Sequence, residues 1–250
     1  MQRASEKQVL EVCLLAGKIL MESSAEMYRI EDTLTRIGIA TDYPVVCYAT
    51  QTGLFVGIDG MDNLRMAQIT KRILNLDKVA QINQLSRKFS AEEITIEFFL
   101  TELKRIKDER IFFPQWLEIL ASAAISSSMM ILFGGEIEDM LLTFLIGGLA
   151  YVIYLQAAKV FQIRFIAEFL ASFIVGTLSI LSMQWGFSEH INMMVIGAVM
   201  PFVPGVAITN AARDLLAGHL LSGVSRAAEA SMTAGAIGFG IAFSFQLFQI

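Results

Sequence analysis

The chain has 250 residues, of which 55% are hydrophobic and 17% are charged, and its mean hydropathy is +0.58. Ordinary soluble domains carry about 25% charged residues, so this composition argues against a single soluble domain and excludes a disordered chain. Two cysteines, Cys13 and Cys47, are too few for a disulfide scaffold. The net charge of −5 provides no basic surface for nucleic acid.

The charges are concentrated in the first part of the chain. Residues 1–113 hold 15 of the 19 Lys and Arg residues and 16 of the 24 Asp and Glu residues. This distribution indicates two solvents, water for the first part and lipid for the second. The sequence therefore predicts an α+β domain over 1–113 and a transmembrane domain over 114–250.

Periodicity and turn residues predict the elements of the first domain. Ser23 and Ser24 interrupt the first helical pattern and offer N-caps for a second helix. The turn Gln51-Thr52 separates two short strands. The elements predicted in chain order are a helix over 6–22, a second helix ending at Ile37, strands over 43–50, 53–58 and 64–73, and helices over 77–88 and 91–107.

Five apolar segments beyond Pro114 are long enough to span a bilayer. They cover residues 116–133, 140–158, 165–183, 190–208 and 226–248. None shows a wide polar stripe, so five buried helices of a soluble protein are the weaker alternative. The pattern predicts an α-helical polytopic membrane protein with about five transmembrane helices.

Basic residues flank these segments on one side only. They are Lys104, Arg105, Lys107 and Arg110 before the first segment, Lys159 and Arg164 between the second and third, and Arg213 and Arg226 around the last connection. The intervening stretches 134–139 and 185–192 contain neither Lys nor Arg. The positive-inside rule therefore predicts a multi-pass protein of the cell membrane whose N-terminal domain is cytoplasmic.

The stretch from Pro201 to Arg226 is unusually polar for this part of the chain. Its prolines, with Gly205, are expected to kink or interrupt the fourth span. Asn210 and Asp214 are four residues apart and share a helix face. The same stretch continues with Gly218, His219, Ser222 and Arg226. Two interpretations remain open, a polar lining near a substrate path and an amphipathic cytoplasmic connector whose charges are solvated.

Other polar and small residues in the apolar part are secondary candidates. Glu118 begins the first span, and Glu168 follows Arg164 by one helical turn, which is also the spacing of an interfacial ion pair. Serines in the first span, Ser122 among them, suit either helix packing or substrate contact. A ridge of small residues in the fifth span predicts an internal or intersubunit packing seam. That ridge consists of Ala230, Ala234, Gly238 and Ala242.

Catalytic motifs are weak or missing. Asp214, His219 and Ser222 are the residue types of a hydrolytic triad, but such a triad is recognised by geometry. The sequence contains no GxSxG, HExxH or P-loop motif. With two histidines and no cysteine cluster, a structural zinc site is not expected either. The sequence thus predicts neither an enzyme nor a bound metal or cofactor.

The chain resembles the threonine/serine exporter family over nearly its whole length. The most specific residues are Val203-Pro204-Gly205, Asn210, Asp214, Gly218, His219, Gly223 and Arg226, which follow the family's spacing. Ala25-Glu26, Arg29 and Glu31 resemble its "GAE…R.E" helix, with Ser24 in place of the usual glycine, and Thr52-Gly53 resembles its strand-turn element. The resemblance implies a soluble domain, about five spans and export of small polar metabolites.

The resemblance also implies partners and roles. With five spans, the chain resembles the larger subunit of the two-component form, similar to a succinate exporter subunit, so a shorter five-span partner is expected, with a homo-oligomer as a further possibility. Asp214 and Asn210 would hold a polar group of the substrate or a coupling proton. Arg226 and His219 would neutralise its carboxylate. The alternatives are an assembly or regulatory membrane subunit and a membrane-embedded hydrolase.

Overall fold

The structure, a computed structural model, describes residues 4–109, 113–161, 163 and 165–249. Two basic residues used for the orientation, Arg110 and Arg164, lie outside these ranges. The chain divides into two compact units. The first unit comprises Met1–Ile111 and Ile208–Ala227, and the second comprises Phe112–Ala207 and Ala228–Ile250.

The first unit combines helices with a small antiparallel sheet. Its N-terminal elements are α1 (Glu6–Glu22), α2 (Met27–Ala40), β1 (Val45–Ala49), β2 (Gly53–Ile58), β3 (Leu64–Gln68), α3 (Leu76–Ser90) and α4 (Ile96–Asp108). The strand order is β1-β2-β3, with Cys47 opposite Val56 and Phe55 opposite Met66. The three predicted strands are therefore present, although the third ends at Gln68.

A continuous apolar core holds the first unit together. A capping box begins α1, because the Ser5 side chain accepts from the Gln8 N–H and the Gln8 side chain accepts from the Ser5 N–H. The helix then contacts α2, α4 and β2. Leu20, Leu34 and Leu54 are fully buried in this core. Helices α1 and α2, whose junction carries the polar side chains described below, are both anchored in this core.

The junction between α1 and α2 differs from the prediction. The expected serine N-caps are wrong, because Ser23 is the C-cap of α1 and the N-cap of α2 is Glu26, whose side chain forms no capping hydrogen bond. Ser24 has a φ of 62°, in the left-handed region that favours glycine. This is the position at which the family pattern has glycine, so the serine keeps the turn at some conformational cost.

The remainder of the chain is helical. Its helices are α5 (Gln115–Leu132), α6 (Met140–Phe161), α7 (Ile166–Gln184), α8 (Ile191–Val199), α9 (Gly205–Leu216) and α10 (Leu220–Leu247), with 3₁₀ turns at Ile137–Asp139 and Met200–Phe202. Residues 208–216 of α9 and 220–227 of α10 belong to the first unit. Helix α10 therefore begins six residues before the predicted fifth span.

Several helices have the length and hydropathy of membrane spans. Among the described residues, four qualify: Gln115–Leu132, Ile137–Phe161, Ile166–Gln184 and Leu220–Leu247. The pair Ile191–Phe202 and Gly205–Leu216 makes a fifth if its halves, bent by 63°, form one broken span. Pro201 and Pro204 flank the bend, as expected for residues that lack the backbone N–H a continuous helix needs.

Small residues allow close helix packing in the second unit. A Cβ added at Gly147 of α6 would meet the Ser126 side chain of α5, and one at Gly240 of α10 would lie 2.5 Å from the Phe169 carbonyl oxygen of α7. On the predicted ridge of α10, Ala230 is buried. The other three ridge residues, Ala234, Gly238 and Ala242, are exposed. These three form no internal seam in the described part of the chain, and the intersubunit alternative stays a prediction.

Candidate functional site

Polar side chains from three helices meet around the α1–α2 junction, all within the first unit. We call this group the junction site. It consists of Glu26, Arg29 and Glu31 near the start of α2, of Asn210, Arg213 and Asp214 on α9, and of His219 and Arg226 around the start of α10. Two groups of residues that carry the family resemblance, separated by more than half of the sequence, are therefore in contact.

The centre of the junction site is a buried ion pair. Arg226 Nε lies 3.1 Å from Asp214 Oδ2, and the two residues are 5% and 0% exposed. Asp214 Oδ1 accepts a hydrogen bond from the Met27 N–H at 3.0 Å. Arg226 Nη2 donates to the Ala25 carbonyl oxygen at 2.7 Å. Such partners offset the large cost of removing both charges from water. The interpretation of this segment as a solvated connector does not fit these burials.

The same contacts complete the backbone of the junction. The first N–H groups of a helix have no partner within the helix, and the positive end of its dipole favours a carboxylate. Asp214 provides that carboxylate to α2 from a distant part of the chain, since Glu26 does not cap it. Asn210 Nδ2 donates to the Ser24 carbonyl oxygen at 3.3 Å. Two side chains of α9 and one of α10 thus bind backbone groups of Ser24, Ala25 and Met27 at the α1–α2 junction.

A tight turn between α9 and α10 places these side chains on one side. Gly218 has a φ of 87°. The His219 N–H donates to the Asp214 carbonyl oxygen at 2.8 Å, and the Gly218 N–H donates to the Leu215 carbonyl oxygen at 3.1 Å. This pair of hydrogen bonds is a Schellman motif, which needs glycine at the left-handed position. At Gly223, a Cβ would lie 2.6 Å from the Leu215 side chain, so the first turn of α10 passes directly over the end of α9.

Charges at the edge of the site surround Glu26. Its carboxylate accepts a hydrogen bond from Arg213 Nη1 and forms an ion pair at 3.2 Å with Arg29 Nη2. Burial favours the neutral acid, but the hydrogen bond from Arg213 and the charge of Arg29 outweigh it and hold the pKa of Glu26 below its usual value. Glu26 is therefore a charged link between the start of α2 and the outer face of α9.

Glu31 connects His219 to the sheet. Its Oε1 lies 3.6 Å from His219 Nδ1, and its carboxylate faces the backbone N–H of Ala49 in β1. Burial raises the pKa of Glu31, and the His219 and Ala49 contacts oppose that rise. In the part of the chain that the structure describes, no hydrogen bond joins His219 to the buried Ser222, as a hydrolytic triad would require.

The remaining candidates lie in the second unit. Pro204 and Gly205 are at the start of α9, and no described atom lies within 4 Å of a Cβ placed on Gly205. Glu118 and Glu168 are half-buried on α5 and α7. The proposed ion pair of Glu168 with Arg164 lies outside the described residues. Among the residues that the structure describes, no group of three or more His, Cys, Asp or Glu side chains could hold a metal ion.

Two features of the molecule were missed from the sequence. Gln51 is 7% exposed, and its amide has no hydrogen-bond partner among the described residues, although turn glutamines are usually solvated. Tyr151, Tyr154 and Phe202 form an aromatic cluster in the second unit. The spacing of the two tyrosines on one helix was an available signal for part of this cluster, whereas Phe202 required the fold.

Comparison with known proteins agrees with these motifs. The sequence model of the threonine/serine exporter family matches residues 11–248. The chain is 24% identical over 255 residues to "Probable succinate transporter subunit YjjP" of Klebsiella aerogenes, which covers 99% of this chain and 97% of that protein. It is also 24% identical over 257 residues to the protein of the same name from Escherichia coli (strain K12), covering 100% of this chain and 98% of that protein. No solved structure matches. The chain therefore belongs to the threonine/serine exporter family.

Proposed function

We propose that this chain is a subunit of a secondary transporter that exports small metabolites bearing a carboxylate, either threonine and serine or a dicarboxylate such as succinate. The family supports export, and the names of the two relatives support both a subunit role and a carboxylate substrate. The apolar helices support a multi-pass position in the cell membrane. The driving force is an ion or proton gradient, in keeping with the lack of an ATP-binding motif in the sequence.

The observation that carries this proposal is the buried pair of Asp214 and Arg226. The Asp214 carboxylate is bound by Arg226 Nε at 3.1 Å and by the Met27 N–H at the N-terminus of α2 at 3.0 Å, and Arg226 Nη2 also donates to the Ala25 carbonyl oxygen at 2.7 Å. Threonine, serine and succinate all carry the same chemical group. Replacing one carboxylate by another leaves Arg226 paired, whereas simple opening would leave a buried charge uncompensated. The substrate carboxylate therefore competes with Asp214 for Arg226.

This exchange links substrate binding to movement of α9. Asp214, once released, is free to accept a proton or the ammonium group of an amino acid, and Asn210 holds the neighbouring polar group. Both residues lie on α9, which begins immediately after the bend at Pro204. Their release therefore removes contacts that hold α9 against the α1–α2 junction. Arg213 provides further positive charge at the edge of the site, where His219 adds an imidazole ring.

A shorter five-span subunit of the same family is the proposed partner. The exposed small residues of α10, Ala234, Gly238 and Ala242, form the contact face that we assign to it, because small side chains allow helix backbones to approach closely. A second copy of this chain is the alternative occupant. Pull-down of the tagged subunit distinguishes the two, since the homo-oligomer forms without the shorter chain.

The proposed orientation places residues 1–113 in the cytoplasm. Single cysteines introduced near Glu136 and His190, in a variant lacking Cys13 and Cys47, are expected to react with an impermeant reagent added to intact cells. A cysteine at Arg105 is expected to react only after the membrane is opened. Labelling of the Arg105 position in intact cells would reverse the orientation.

Export by variants of the central pair tests the proposed function. Asp214→Asn and Arg226→Lys are each expected to reduce efflux of labelled substrate at least tenfold per molecule of protein in the membrane, because lysine lacks the planar fork of arginine and asparagine lacks the charge. Glu138→Gln, an exposed acid on a connecting segment, is the matched control. Unchanged efflux in both central variants would refute a role of the pair in transport.

An assembly or regulatory subunit is the second candidate function. It is favoured by one observation: Asp214 and Arg226 contact each other and the backbone of the α1–α2 junction, as a pair that holds the fold would. In that case the pair holds the fold, and substrate passes through another chain. The double variant Asp214→Asn with Arg226→Gln separates the two, because a purely structural pair can be replaced by neutral residues without loss of efflux.

A further inference from the structure

A histidine joins two connecting segments of the second unit. The first connection, residues 133–139, links α5 to α6, and the second, residues 185–190, links α7 to α8. His190 of the second connection lies against two carboxylates of the first. Its Nε2 is 3.4 Å from Glu136 Oε1, and its Nδ1 is 3.3 Å from Asp139 Oδ2. Each ring nitrogen therefore faces a carboxylate of its own, at ion-pair distance.

The two carboxylates differ in burial. The Asp139 side chain is 4% exposed, whereas Glu136 and His190 are exposed. Asp139 Oδ2 makes no hydrogen bond with a described residue, although it faces His190 Nδ1. Burying an ionised carboxylate oxygen without a donor is costly. The ring nitrogen that faces this oxygen is the group placed to supply the donor.

The two contacts of the ring need two donors. A neutral imidazole has one N–H and one lone pair, so it can donate to one carboxylate and turns its lone pair towards the other. The protonated ring has two N–H groups and a positive charge, so it can donate to both. The geometry around His190 therefore suits the protonated ring, and loss of one proton leaves one of the carboxylates facing a lone pair.

Local contacts hold both sides of this group in position. His190 is the N-cap of α8, and its N–H donates to the Ser188 side chain at 3.1 Å. Thr143 Oγ1 donates to the Asp139 carbonyl oxygen at 2.9 Å, which ties the 3₁₀ turn to the first turn of α6. At Gly197 of α8, an added Cβ would lie 2.6 Å from a carbonyl oxygen of α5. Helix α8 is thus packed closely on α5 and held at its start by the ring.

Few other charges surround the group. The titratable groups that face the ring are Glu136 and Asp139, and the nearby acids Glu138 and Glu189 are exposed. The adjoining parts of the helices contain no Asp, Glu, Lys, Arg or His, namely residues 126–132 of α5, 140–150 of α6, 175–184 of α7 and 191–199 of α8. Protonated His190 is therefore the positive charge of a region whose other ionisable groups are acids.

We propose that Glu136, Asp139 and His190 form a binding site for one proton, which fastens the two connections to each other. We call these three residues the histidine clasp. Uptake of a proton by the imidazole closes the clasp. Loss of the proton removes the positive charge and one of the two donors, so the hold on the first connection weakens. The proton is exchanged with water, which reaches the exposed His190 and Glu136 side chains.

The histidine clasp lies at the start of the broken span. His190 begins α8, which continues into the 3₁₀ turn at Met200–Phe202 and the bend that follows it. In the proposed orientation, the two connections face the outside. The closed clasp therefore holds the outer half of this span in the packed arrangement, and an acidic outside slows export. This consequence rests on the proposed function, whereas the clasp itself rests on the contacts of His190.

The distance between two spin labels tests the histidine clasp without any substrate. The labels are attached at Ile137→Cys and Phe187→Cys, exposed positions on the two connections, in the full chain without Cys13 and Cys47. A short distance is expected at about pH 5 and an added longer one at about pH 8, on either side of the range in which histidine ordinarily titrates. His190→Gln, which gains no proton, is expected to show the longer distance at both pH values. His190→Arg, with a permanent charge and several donors, is expected to show only the short one.

Two acid variants complete this test. Asp139→Asn removes the buried charge and is expected to behave as His190→Gln does. Glu138→Gln changes an exposed acid on the same 3₁₀ turn and is the matched control, expected to follow the wild type. If Asp139→Asn does not fold, the variants of the exposed His190 still decide. A wild-type distance that ignores pH, or the same pH response in His190→Gln, would overturn the clasp.

Export by the complex of this chain with its partner subunit tests the consequence separately. The pH is changed on both sides of the membrane together, so that the proton gradient stays constant. Wild-type export is expected to be about threefold slower or more at about pH 5 than at about pH 8. His190→Gln is expected to lose this difference, and His190→Arg to stay slow at both. Equal pH profiles of export in all three chains would overturn the effect on transport. An inactive wild-type complex would overturn the proposed function, while the label distances still decide the clasp.

Discussion

Replacing Asp214 by asparagine tests the role of the buried pair in holding the junction. Asparagine keeps a side-chain oxygen that can accept the Met27 N–H, now 3.0 Å from Oδ1. It removes the negative charge 3.1 Å from Arg226 Nε, and Arg226, 5% exposed, cannot regain solvent where it stands. The change therefore removes the charge of residue 214 while it keeps the shape of the side chain, so any loss of stability reports on the charge.

The expected cost follows from the burial of the pair. Removing one partner of a buried ion pair costs about 3–5 kcal/mol, because the other charge is left uncompensated. Losing the helix cap as well would add about 1 kcal/mol, but asparagine retains that acceptor. For a chain of 250 residues, each kcal/mol lowers Tm by roughly 2–4 °C. Asp214→Asn is thus expected to lower Tm by about 10 °C.

The assay is thermal unfolding of the detergent-purified chain for Asp214→Asn, for Arg226→Gln and for the variant that carries both changes. The double variant leaves no unpaired charge, so its loss of stability is expected to be about 2 kcal/mol smaller than the sum of the single losses. Losses that add to within about 0.5 kcal/mol would refute the reasoning, since the two side chains would then act independently.

Four other changes test separate parts of the structure. Gly223→Ala is expected to lower the free energy of unfolding by about 1–3 kcal/mol in chemical denaturation, because the new Cβ would lie 2.6 Å from the Leu215 side chain and 2.9 Å from its backbone nitrogen. Glu26→Gln is expected to flatten the loss of thermal stability in acid: the pKa of Glu26 is lowered in the folded chain, so its ionised form adds stability that is lost as the pH falls below 4.5 and through the folded-state value. Gly238→Leu is expected to reduce recovery of the partner subunit in a pull-down while leaving Tm unchanged, whereas Gly240→Ala is expected to lower Tm, because its Cβ would lie 2.5 Å from a carbonyl oxygen of α7.

Each of these changes has a control. Gly235→Ala lies on the same helix as Gly223, and no described atom lies within 4 Å of its Cβ, so it is expected to stabilise slightly through higher helix propensity. A comparable loss at both positions would contradict the close approach at Gly223. Asp32→Asn is the control for Glu26, since Asp32 lies on the same helix but is exposed. Gly238→Leu variants that lower Tm as much as Gly240→Ala would show that the ridge packs inside the chain.

Local patterns predicted most of the elements. The alternation around Gln51-Thr52 predicted the first hairpin, and the prolines at 201 and 204 predicted the bend, because both depend on residues adjacent in sequence. The predicted serine N-cap of α2 was wrong because the contact at the start of this helix is not local in sequence. Its first N–H is bound by Asp214, 187 residues away, and no local pattern distinguishes that contact from a serine cap.

Most residues of the junction site were candidates from the sequence, but Arg213 was not among them, and their arrangement was not predicted. Spacing placed Asn210 and Asp214 on one helix face, and the family resemblance drew attention to Glu26 and Glu31. That the two groups bind each other through the backbone of the α1–α2 junction follows only from tertiary packing. The small residues of α10 illustrate the same point. Periodicity predicts which residues share a helix face, but only the packed structure shows which face is covered.

Efflux by the purified, reconstituted complex tests the central claim most directly. Liposomes loaded with labelled threonine, serine or succinate are prepared with this chain alone, with the proposed five-span partner alone and with both. Export of at least one of these carboxylates is predicted for the wild-type pair, with at least tenfold less when this chain carries Asp214→Asn. Full export by the partner alone, or equal export with the variant chain at equal incorporation, would contradict the claim that this chain binds the substrate.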